Sequence, residues 1–488
     1  MEQLWSRYIS RVSTVKPNFA QRLLVERPRP RAVAGWRHAH WLAVGTVCLG
    51  AFLGQLTASI TALVFPELER SFDANFAAVE WVALAYLLVL VALLAPIGRL
   101  SDLVGRKTVY LGGFGVFALA SLGAGLADGL GTLVACRAVQ AVGGAMMQAN
   151  SVALVARGVP ECAMRTALGI QAAAQALGLA LGPTLGGLLV QHVSWRWVFW
   201  INVPIGLLGI VAGWFLLPRT HPDGRPRQPR RDGRFDLAGL LLLAGCSTTF
   251  LLALSTASGL PLPAWAVAVL LLAAVALALA LARQEQRADR PLIPPGLINT
   301  PGIRTGLLIA LVGYLLLFCP LVLGPVMLVG AGAPVATAGL VITALPAAFA
   351  VAATVGAGLL PDSWSDAVRC RCGALVAALG LGLLAAVPAT PAATVLPLVV
   401  AGYGLGLLLP ANNALVMRAI PPASSAVGGG LVNMVRGLGT ALGTALPVLA
   451  VHLAGHQTGG RSVLALLTLV AAAAATLAAR VRTSAPRS

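Results

Sequence analysis

Residues 165–192 read RTALGIQAAAQALGLALGPTLGGLLVQH, an apolar run that is long enough to cross a lipid bilayer. Within this run lies the pattern G-x-x-x-G-P-x-x-G-G, formed by Gly178, Gly182, Pro183, Gly186 and Gly187. A glycine at every fourth position keeps one helix face flat, so that a second helix can approach at backbone distance. Pro183 removes one hydrogen bond and bends the helix, which a membrane tolerates where neighbouring helices or a cavity cover the freed backbone. The stretch therefore predicts a membrane helix that moves against its neighbours, as a transporter requires.

The composition indicates a polytopic protein of the lipid bilayer. Of the 488 residues, 58% are hydrophobic and 10% are charged, whereas soluble domains carry about 25% charged residues. The formal net charge is +18, but the basic residues stand between apolar spans and form no folded reader module, so we expect no nucleic-acid partner. Seven cysteines are scattered along the chain. Because Cys370-x-Cys372 has no second ligand pair nearby, we expect no metal, no cofactor and no disulfide framework.

Fourteen apolar segments of bilayer-spanning length follow one another along the chain. They cover approximately residues 41–64, 79–98, 108–127, 132–156, 165–190, 197–217, 235–256, 263–283, 303–329, 335–360, 372–390, 393–417, 424–452 and 462–480. With the N-terminus inside, the basic residues that lie outside are Arg70, Arg196 and Arg461, and those in the interior of spans are Arg137 and Arg436; the other lysines and arginines lie on the inner side. The positive-inside rule then predicts a multi-pass protein of the plasma or inner membrane, with both termini in the cytoplasm.

Two parts of the chain repeat each other at a constant offset of 261 residues. Arg157-x-x-Pro160 recurs as Arg418-x-x-Pro421, and Gly178-x-x-x-Gly182 recurs as Gly439-x-x-x-Gly443. The copies lie an even number of spans apart and so share one orientation. We therefore predict two parallel six-helix halves, a two-helix insert between them in sequence, and a substrate path between the halves. Chance similarity among helices rich in Gly, Ala and Leu is the alternative.

The repeat divides the chain into six units. We predict a cytoplasmic basic N-terminal segment at 1–39, an N-terminal six-helix half at 40–218, a cytoplasmic linker at 219–234, a two-helix insert at 235–284, a C-terminal six-helix half at 285–482 and a cytoplasmic tail at 483–488. Residues 1–39 lack the apolar core of a signal peptide. They form either a short interfacial helix around Trp5 and Ile9 or a disordered basic tail.

Several motifs carry a resemblance to a known family. Gly98-Arg-Leu-Ser-Asp102-Leu-Val-Gly105-Arg106-Lys107 resembles the signature loop between spans two and three of the major facilitator superfamily, and Arg137-x-x-Gln140 resembles its fourth-span motif. Residues 178–187 resemble the fifth-span motif of its antiporters. Three further motifs resemble the fourteen-span drug/proton antiporter family, namely W-R-x-x-F-x-I-N-x-P-x-G at 195–206, R-F-D-x-x-G at 234–239 and N-x-x-R-x-x-G at 433–439. The resemblance covers about residues 40–480 and implies the all-α major facilitator fold of a multidrug or antibiotic efflux transporter.

The chain departs from the family pattern at two positions. Thr57 stands where the family carries an acid near the end of span one. Leu103 replaces the usual basic residue of the loop between spans two and three. The first departure leaves the proton-coupling residue unassigned.

The resemblance implies a gate in the loop between spans two and three. Its residues are Gly98, Asp102, Gly105, Arg106 and Lys107. In the family, this charge cluster holds the two halves together in the outward-facing state and separates for inward opening. An ordinary solvated loop with positive-inside charges is the alternative.

Polar residues within spans indicate a cavity. Arg137 lies inside span four with Gln140 one turn away, and a guanidinium there is costly unless it faces water or a partner. The resemblance implies a cavity arginine that steers proton binding or holds an anionic substrate; a structural arginine bonded to backbone carbonyls is the alternative. Asn433 and Arg436 begin a polar stripe in span thirteen, and Gln175 is the repeat equivalent of Arg436.

The weaker cavity candidates are Gln55, Ser59, Gln171, Gln175, Asn412 and Asn413. Thr440 and Thr444 continue the stripe of span thirteen, but such hydroxyls often bond back to their own helix.

No acid is predicted at mid-membrane. Glu80, just before Trp81 at the outer mouth of span two, is the nearest carboxyl group and therefore the candidate for proton coupling. An acid at the rim titrates near its solution pKa unless it is buried. Coupling through the charge of the substrate, or little coupling, is the alternative.

The motifs favour an exporter of small amphipathic or antibiotic-like molecules that works by proton antiport with alternating access, and we expect a monomer. A solute importer or facilitator of the same fold, with weak or no proton coupling, is the second hypothesis. A membrane enzyme would need paired carboxylates, a metal cluster or an activated nucleophile at the membrane face. The sequence offers none of these constellations, so we expect no enzyme.

The gate assignment makes a testable prediction. Replacing Asp102 by Asn removes the charge that the resemblance places in the gate, so transport should be abolished with little loss of expression. Efflux measured beside membrane protein level in the same cells checks this, and near-normal efflux by the variant would contradict the assignment.

Overall fold

The computed structural model describes residues 38–160, 163–219, 236–263, 265–288, 300–356, 364–420 and 425–480, together with the single positions 26, 29, 30, 36, 296 and 361. These residues form helices and the connections between them. Fourteen of the helices are long and apolar enough to cross a membrane, which confirms the predicted number of spans. The interfacial helix or tail expected around Trp5 and Ile9 lies outside the described residues.

The spanning helices fall into a group of six, a pair and a second group of six. The first group is α1 Ala39–Ile60, α2 Trp81–Val104, α3 Arg106–Gly125, α4 Leu130–Gly158, α5 Met164–His192 and α6 Asn202–Leu216. The pair is α7 Leu237–Ala257 and α8 Trp265–Arg287. The second group is α9 Pro301–Gly330, α10 Val335–Ile342 with its continuation Ala344–Val351, α11 Asp366–Ala386, α12 Pro391–Ala419, α13 Ser425–Ala454 and α14 Gly460–Arg480.

Short helical segments extend some of these helices. A 3-10 turn, Thr61–Val64, and the helix Phe65–Phe72 continue α1, so the first span is longer than predicted. Single turns Phe76–Val79 and Trp197–Trp200 precede α2 and α6. We call the end of the bundle that holds the α2–α3, α4–α5 and α6–α7 connections the basic end, and the other the opposite end.

The first N–H groups of a helix have no acceptor within the helix. At several helix starts a side chain accepts from such a group, or a proline removes the need for an acceptor. Asp236 accepts a hydrogen bond of 2.8 Å from the backbone N–H of Gly239 and so caps α7. The Ser365 hydroxyl accepts a longer bond from Val368 at the start of α11. Pro391 occupies the first turn of α12, where a missing N–H costs nothing. Between such ends the backbone bonds stay within each helix, as a hydrocarbon environment demands.

The same backbone contact recurs in both groups of six helices. A methyl group on Gly178 of α5 would meet the carbonyl oxygen of Phe52 in α1. A methyl group on Gly439 of α13 would meet the carbonyl oxygen of Leu311 in α9. Since Gly439 is the repeat equivalent of Gly178, α13 packs on α9 as α5 packs on α1, which fits two parallel copies of one helix arrangement.

The two groups of six helices contact each other along two lines of helix packing, which we call seams. In the first seam α2 meets α13, where Val91 fills the space beside Gly437. In the second seam α5 meets α10. Helix α7 lies along the first seam, with Leu243 and Ser247 bordering a small gap between α2 and α13. Helix α8 packs against α7 and is almost wholly exposed, since 6% of its most apolar stretch is buried.

A short N-terminal stretch is tied to the basic end of the first group. The Glu26 carboxylate, 3% exposed, accepts a hydrogen bond of 3.2 Å from the backbone N–H of Lys107 in the first turn of α3. Gly105 precedes that turn at φ 113° and offers no side chain to cap it. The Arg219 guanidinium donates to the backbone oxygen of Glu26 at 2.8 Å. Glu26 therefore caps α3 from a distant part of the chain.

Arg29 strengthens the same tie by donating to the backbone oxygen of Leu216, at the end of α6, over 2.7 Å. Burial lowers the pKa of the Arg29 guanidinium, because removal from water disfavours its charged form. The basic end of the first group is thus held by polar contacts from outside its six helices.

We expect Glu26→Ala to loosen the start of α3. A buried hydrogen bond to a charged group contributes about 1.5–3 kcal/mol, so amide hydrogen exchange in the first turn of α3 should accelerate by one to two orders of magnitude. Glu67→Ala is the matched control, because Glu67 makes an exposed ion pair with Arg70. Equal exchange in the two variants would contradict the capping role.

Candidate functional site

A cavity lies between the two groups of six helices, near the middle of the bundle. Helices α1, α2, α4 and α5 line one side, and α9 and α13 line the other. Its volume is about 70 Å³, whereas pockets for drug-sized ligands measure about 300–1,000 Å³. The lining residues are Gly50, Ala51, Gly54, Gln55, Ala58, Tyr86, Leu87, Leu90, Gly144, Met147, Gln148, Ser151, Gln175, Tyr314, Phe318, Asn433, Arg436, Gly437 and Thr440. In this conformation the cavity is too narrow for a drug-sized molecule.

Four of the predicted cavity residues line this space. Gln175 from α5 faces Asn433 and Arg436 from α13, and Gln55 from α1 lies beside them. Sequence reasoning missed Gln148 and Ser151, which lie two and three turns beyond Gln140 on α4. Their helical spacing from Gln140 was the signal available.

Arg137 is part of a hydrogen-bonded core. It is 1% exposed, and its Nε donates to the backbone oxygen of Val82 in α2 at 2.8 Å. Its guanidinium also donates to Gln140, whose amide donates to Ser121 Oγ of α3 at 2.6 Å. The group lies 4.4 Å from the ring centre of Tyr86. Arg137 therefore ties α4 to α2 and α3, as in the structural alternative.

Arg137 also borders a second, smaller cavity of about 10 Å³ next to the first. Ser59 and Thr444 line it from α1 and α13. Thr440 and Thr444 donate to carbonyl oxygens of their own helix one turn earlier, each at 3.0 Å. Their hydroxyl protons are thus used locally.

Thr57, which stands in the place of the family's acid, is a packing residue. It is 1% exposed, and its hydroxyl donates to Asn202 Oδ1 of α6 at 3.3 Å. It lines neither cavity. The side chain therefore joins α1 to α6 within the first group.

The glycine-proline motif of α5 has two faces. Methyl groups on Gly178, Gly182 and Gly186 would each meet α1, at Phe52, Ser59 and Ile60 respectively. This face is the one predicted from the four-residue spacing, and its partner belongs to the same group of helices.

The other face of the motif touches α10 in the second group. A methyl group on Gly187 would lie 2.8 Å from the carbonyl oxygen of Val335, and one on Gly339 would meet the carbonyl oxygen of Pro183. Two hydroxyls, on Thr184 and Thr343, bond across this contact at 2.6 Å.

The Gln191 side chain extends the α5–α10 contact by accepting a 2.8 Å bond from the backbone N–H of Ala336. Helices α5 and α10 thus close the cavity at the opposite end.

At the basic end of this seam, described side chains of α4 and α5 are exposed. At the start of α5, Leu168 and Ile170 are 37% and 42% exposed, and Val152 near the end of α4 is 56% exposed. Residues 168–170 are all exposed, although they point to different sides of the helix. The first turns of α5 therefore lack close neighbours on more than one side.

Glu80 is buried under the loop between α7 and α8. Its side chain is 0% exposed, and the Ser255 hydroxyl of α7 donates to one carboxyl oxygen. The other oxygen, Oε2, has no hydrogen-bond partner among the described residues. Next to it, Asn75 Nδ2 donates to the backbone oxygen of Gly259 at 2.6 Å. Glu80 was predicted at the rim, but the α7–α8 pair covers it and removes it from water.

The residues of the predicted gate differ in their surroundings. Lys107 faces its own group, because its Nζ donates to the backbone oxygens of Trp214 and Leu217 at 3.0 and 2.8 Å. Gly98 lies in α2 with open space beside it, and Arg106 is half-buried in the first turn of α3. The side chain of Asp102 is outside the described residues.

These features define a membrane transporter with a central cavity between two helix groups. A family model described as Major Facilitator Superfamily matches residues 47–444, and the chain belongs to that superfamily. It is a transporter of small-molecule substrates within a membrane and not an enzyme.

Similar curated proteins include exporters linked to drug resistance and a vitamin transporter. The riboflavin transporter RibZ of Clostridioides difficile is 28% identical over 83% of this chain and 87% of its own. The methylenomycin A resistance protein of Streptomyces coelicolor is 29% identical over 84% and 85%. The tetracenomycin C resistance and export protein of Streptomyces glaucescens is 30% identical over 56% and 50%.

A solved structure supports the fold alone. The crystal structure of a POT family transporter in complex with a thioalcohol-conjugated peptide has a TM-score of 0.65 at 15% identity. The likeness covers 89% of this chain and 94% of that one.

The contact between Thr184 and Thr343 predicts a cross-link. In a background without native cysteines, Thr184→Cys combined with Thr343→Cys should form a disulfide on oxidation, because the two hydroxyl oxygens, whose places the sulfur atoms would take, lie 2.6 Å apart. A protease site placed in the α6–α7 connection and a gel of the cleaved protein report the link. Thr184→Cys with Thr354→Cys is the control, since Thr354 lies about 16 Å further along α10. Equal linking of both pairs would contradict the described seal.

Proposed function

We propose that this transporter exports small amphipathic, antibiotic-like molecules from the cytoplasm by alternating access, in antiport with protons. The supporting observation is the asymmetry of the cavity between the two helix groups. It is sealed at the opposite end by the backbone contact of Gly187 with Val335, whereas Leu168 and Ile170 of α5 are exposed at the basic end.

The protein then lies in a bacterial inner membrane. By the positive-inside rule, its basic end and both termini face the cytoplasm. The described conformation is then the inward-facing one. Substrate enters from the cytoplasm, and opening of the α5–α10 seal releases it outside.

The two faces of the α5 motif fit this cycle. Gly178, Gly182 and Gly186 hold α5 on α1, so the half at 40–218 moves as a unit. Pro183 and Gly187 form the contact with α10 that opens when the half at 285–482 tilts away. Close backbone packing favours such opening, because few side-chain contacts have to break: the hydroxyl bond between Thr184 and Thr343 and the bond from Ala336 to Gln191. In the outward-facing state the gate of Asp102 and Arg106 would take over the closing contact at the basic end.

Glu80 is the proton site that the structure supports best. A buried carboxyl group without a neighbouring cation is stable only in its neutral form. No basic side chain is a partner of Glu80 among the described residues, and its known partner, Ser255, is neutral. Movement of α2 away from α7 would let water reach Glu80 at the outer end, so that the carboxyl group exchanges its proton with the outside.

One observation favours the second candidate, a facilitator with weak coupling. Within the described residues, no carboxyl group lines the central cavity or the smaller cavity beside it. A proton at Glu80 would therefore act through helix movement and not by direct competition with the substrate.

Efflux assays decide between the two candidates. Cells that lack their own pumps and express this chain are screened for resistance to an antibiotic panel, and a hit is followed with and without a protonophore. We expect the protonophore to abolish wild-type efflux and Glu80→Gln to reduce efflux at least tenfold at equal expression. Asp128→Asn is the control, because Asp128 is exposed at the same end of the bundle. Efflux that persists with the protonophore would refute antiport.

A further inference from the structure

Among the described residues that line the central cavity, Arg436 is the one with a guanidinium group. It projects from α13, is half-buried, and its central carbon lies 5.8 Å from the ring centre of Tyr314 in α9. Among the described residues, no acceptor atom takes a hydrogen bond from its guanidinium and no carboxylate forms an ion pair with it. Its donors are therefore available to whatever fills the cavity.

The other buried cations differ in this respect. Arg137 donates to Val82 and Gln140, and Lys107 donates to two carbonyl oxygens at the end of α6. The positive charges of Arg137 and Lys107 are therefore stabilised by the dipoles of acceptor groups that the fold holds in place. A cation inside a membrane is costly unless it finds a partner or water, so Arg436 relies on water in the empty cavity and on a ligand in the occupied one.

The remaining lining offers neutral donors and aromatic surface. Amide groups of Gln55, Gln148, Gln175 and Asn433 surround the cavity, and Tyr86, Tyr314 and Phe318 supply rings. Gln175 is the repeat equivalent of Arg436, so the two helix groups present one neutral and one charged side chain at matching positions. The described lining thus carries one positive charge, at one side of a space formed otherwise by neutral polar and apolar side chains.

The geometry points to an organic anion as the substrate: a small apolar, aromatic molecule with one acid group, whose acid is bound by Arg436. This inference rests on the proposed transport function and names its substrate class. An acid group with two oxygens matches the two parallel donors of a guanidinium, and the rings beside it accept the flat body of the molecule. A cation would meet the charge of Arg436 without a compensating carboxylate.

The charge of such a substrate contributes to its own export. An inside-negative potential of 100 mV favours outward movement of a monovalent anion by a factor of about 50. No acid in the cavity is then needed to give transport a direction. Protonation of Glu80 adds to this driving force from a separate place in the fold.

A matched set of ligands tests the substrate class by binding. Purified protein in detergent is titrated calorimetrically with 2-naphthalenesulfonate, 2-naphthalenesulfonamide and N,N,N-trimethyl-2-naphthylammonium, which share one ring system and differ in charge. We expect the sulfonate to bind at least tenfold more tightly than the other two. Equal affinities, a preference for the cation, or no saturable binding of the sulfonate at millimolar concentration would overturn the inference.

Variants at one position link the preference to the side chain. Arg436→Gln copies the residue at the repeat position and should abolish the preference for the sulfonate while leaving sulfonamide binding unchanged. Arg436→Lys should keep part of the preference, because it retains the charge and loses the forked geometry. Arg461→Gln is the control, since Arg461 is exposed on the first turn of α14. A preference that survives in Arg436→Gln at wild-type thermal stability would overturn the assignment.

A transport measurement separates this inference from the proposed function. Proteoliposomes with a valinomycin-imposed, inside-positive potential should accumulate the sulfonate, and reversal of the potential should prevent this. Anion binding without any transport would refute the exporter and leave the binding site in place. Transport of the cation or the amide in preference to the sulfonate would refute the anion and leave the exporter in place.

Discussion

The structure depends on a requirement placed on one helix. Helix α5 must touch α1 and α10 at backbone distance, on two faces about a quarter turn apart. Gly178 and Gly182 allow the first approach, and Gly187, opposite Gly339, allows the second. Side chains at these positions would force the helices apart by more than a membrane interface tolerates, since such interfaces gain their stability from close packing. The inner architecture of the first group and the closure of the cavity therefore share a single stretch of ten residues.

Much of the fold could be predicted from the sequence, because the bilayer allows few solutions. Apolar runs of spanning length predict helices, and all fourteen were confirmed. The motifs predicted the superfamily, which the family model confirmed over residues 47–444. The partners of each helix were less accessible. The pattern around Gly182 indicates close packing but does not say that Gly178 faces α1 while Gly187 faces α10.

The candidate site could be predicted in part, because a membrane also restricts where polar side chains can lie. Asn433 and Arg436 were predicted to face the cavity because a polar stripe in a membrane helix must face protein or water, and both line it together with Gln175. Whether a buried polar group is satisfied depends on carbonyl oxygens, which sequence patterns do not locate. Arg137 is satisfied by Val82, and Lys107 by the end of α6. The burial of Glu80 depends on Ser255, which is remote in sequence and belongs to the α7–α8 pair.

The position of α7 has a consequence for molecules dissolved in the lipid. Both seams between the helix groups are lateral windows through which a membrane-bound compound could pass. Helix α7 covers the window between α2 and α13, with Leu243 and Ser247 against it. At the window between α5 and α10, Leu168 and Ile170 are exposed at the basic end. The pair α7–α8 thus shields one of the two windows from the lipid and makes the transporter asymmetric in the plane of the membrane.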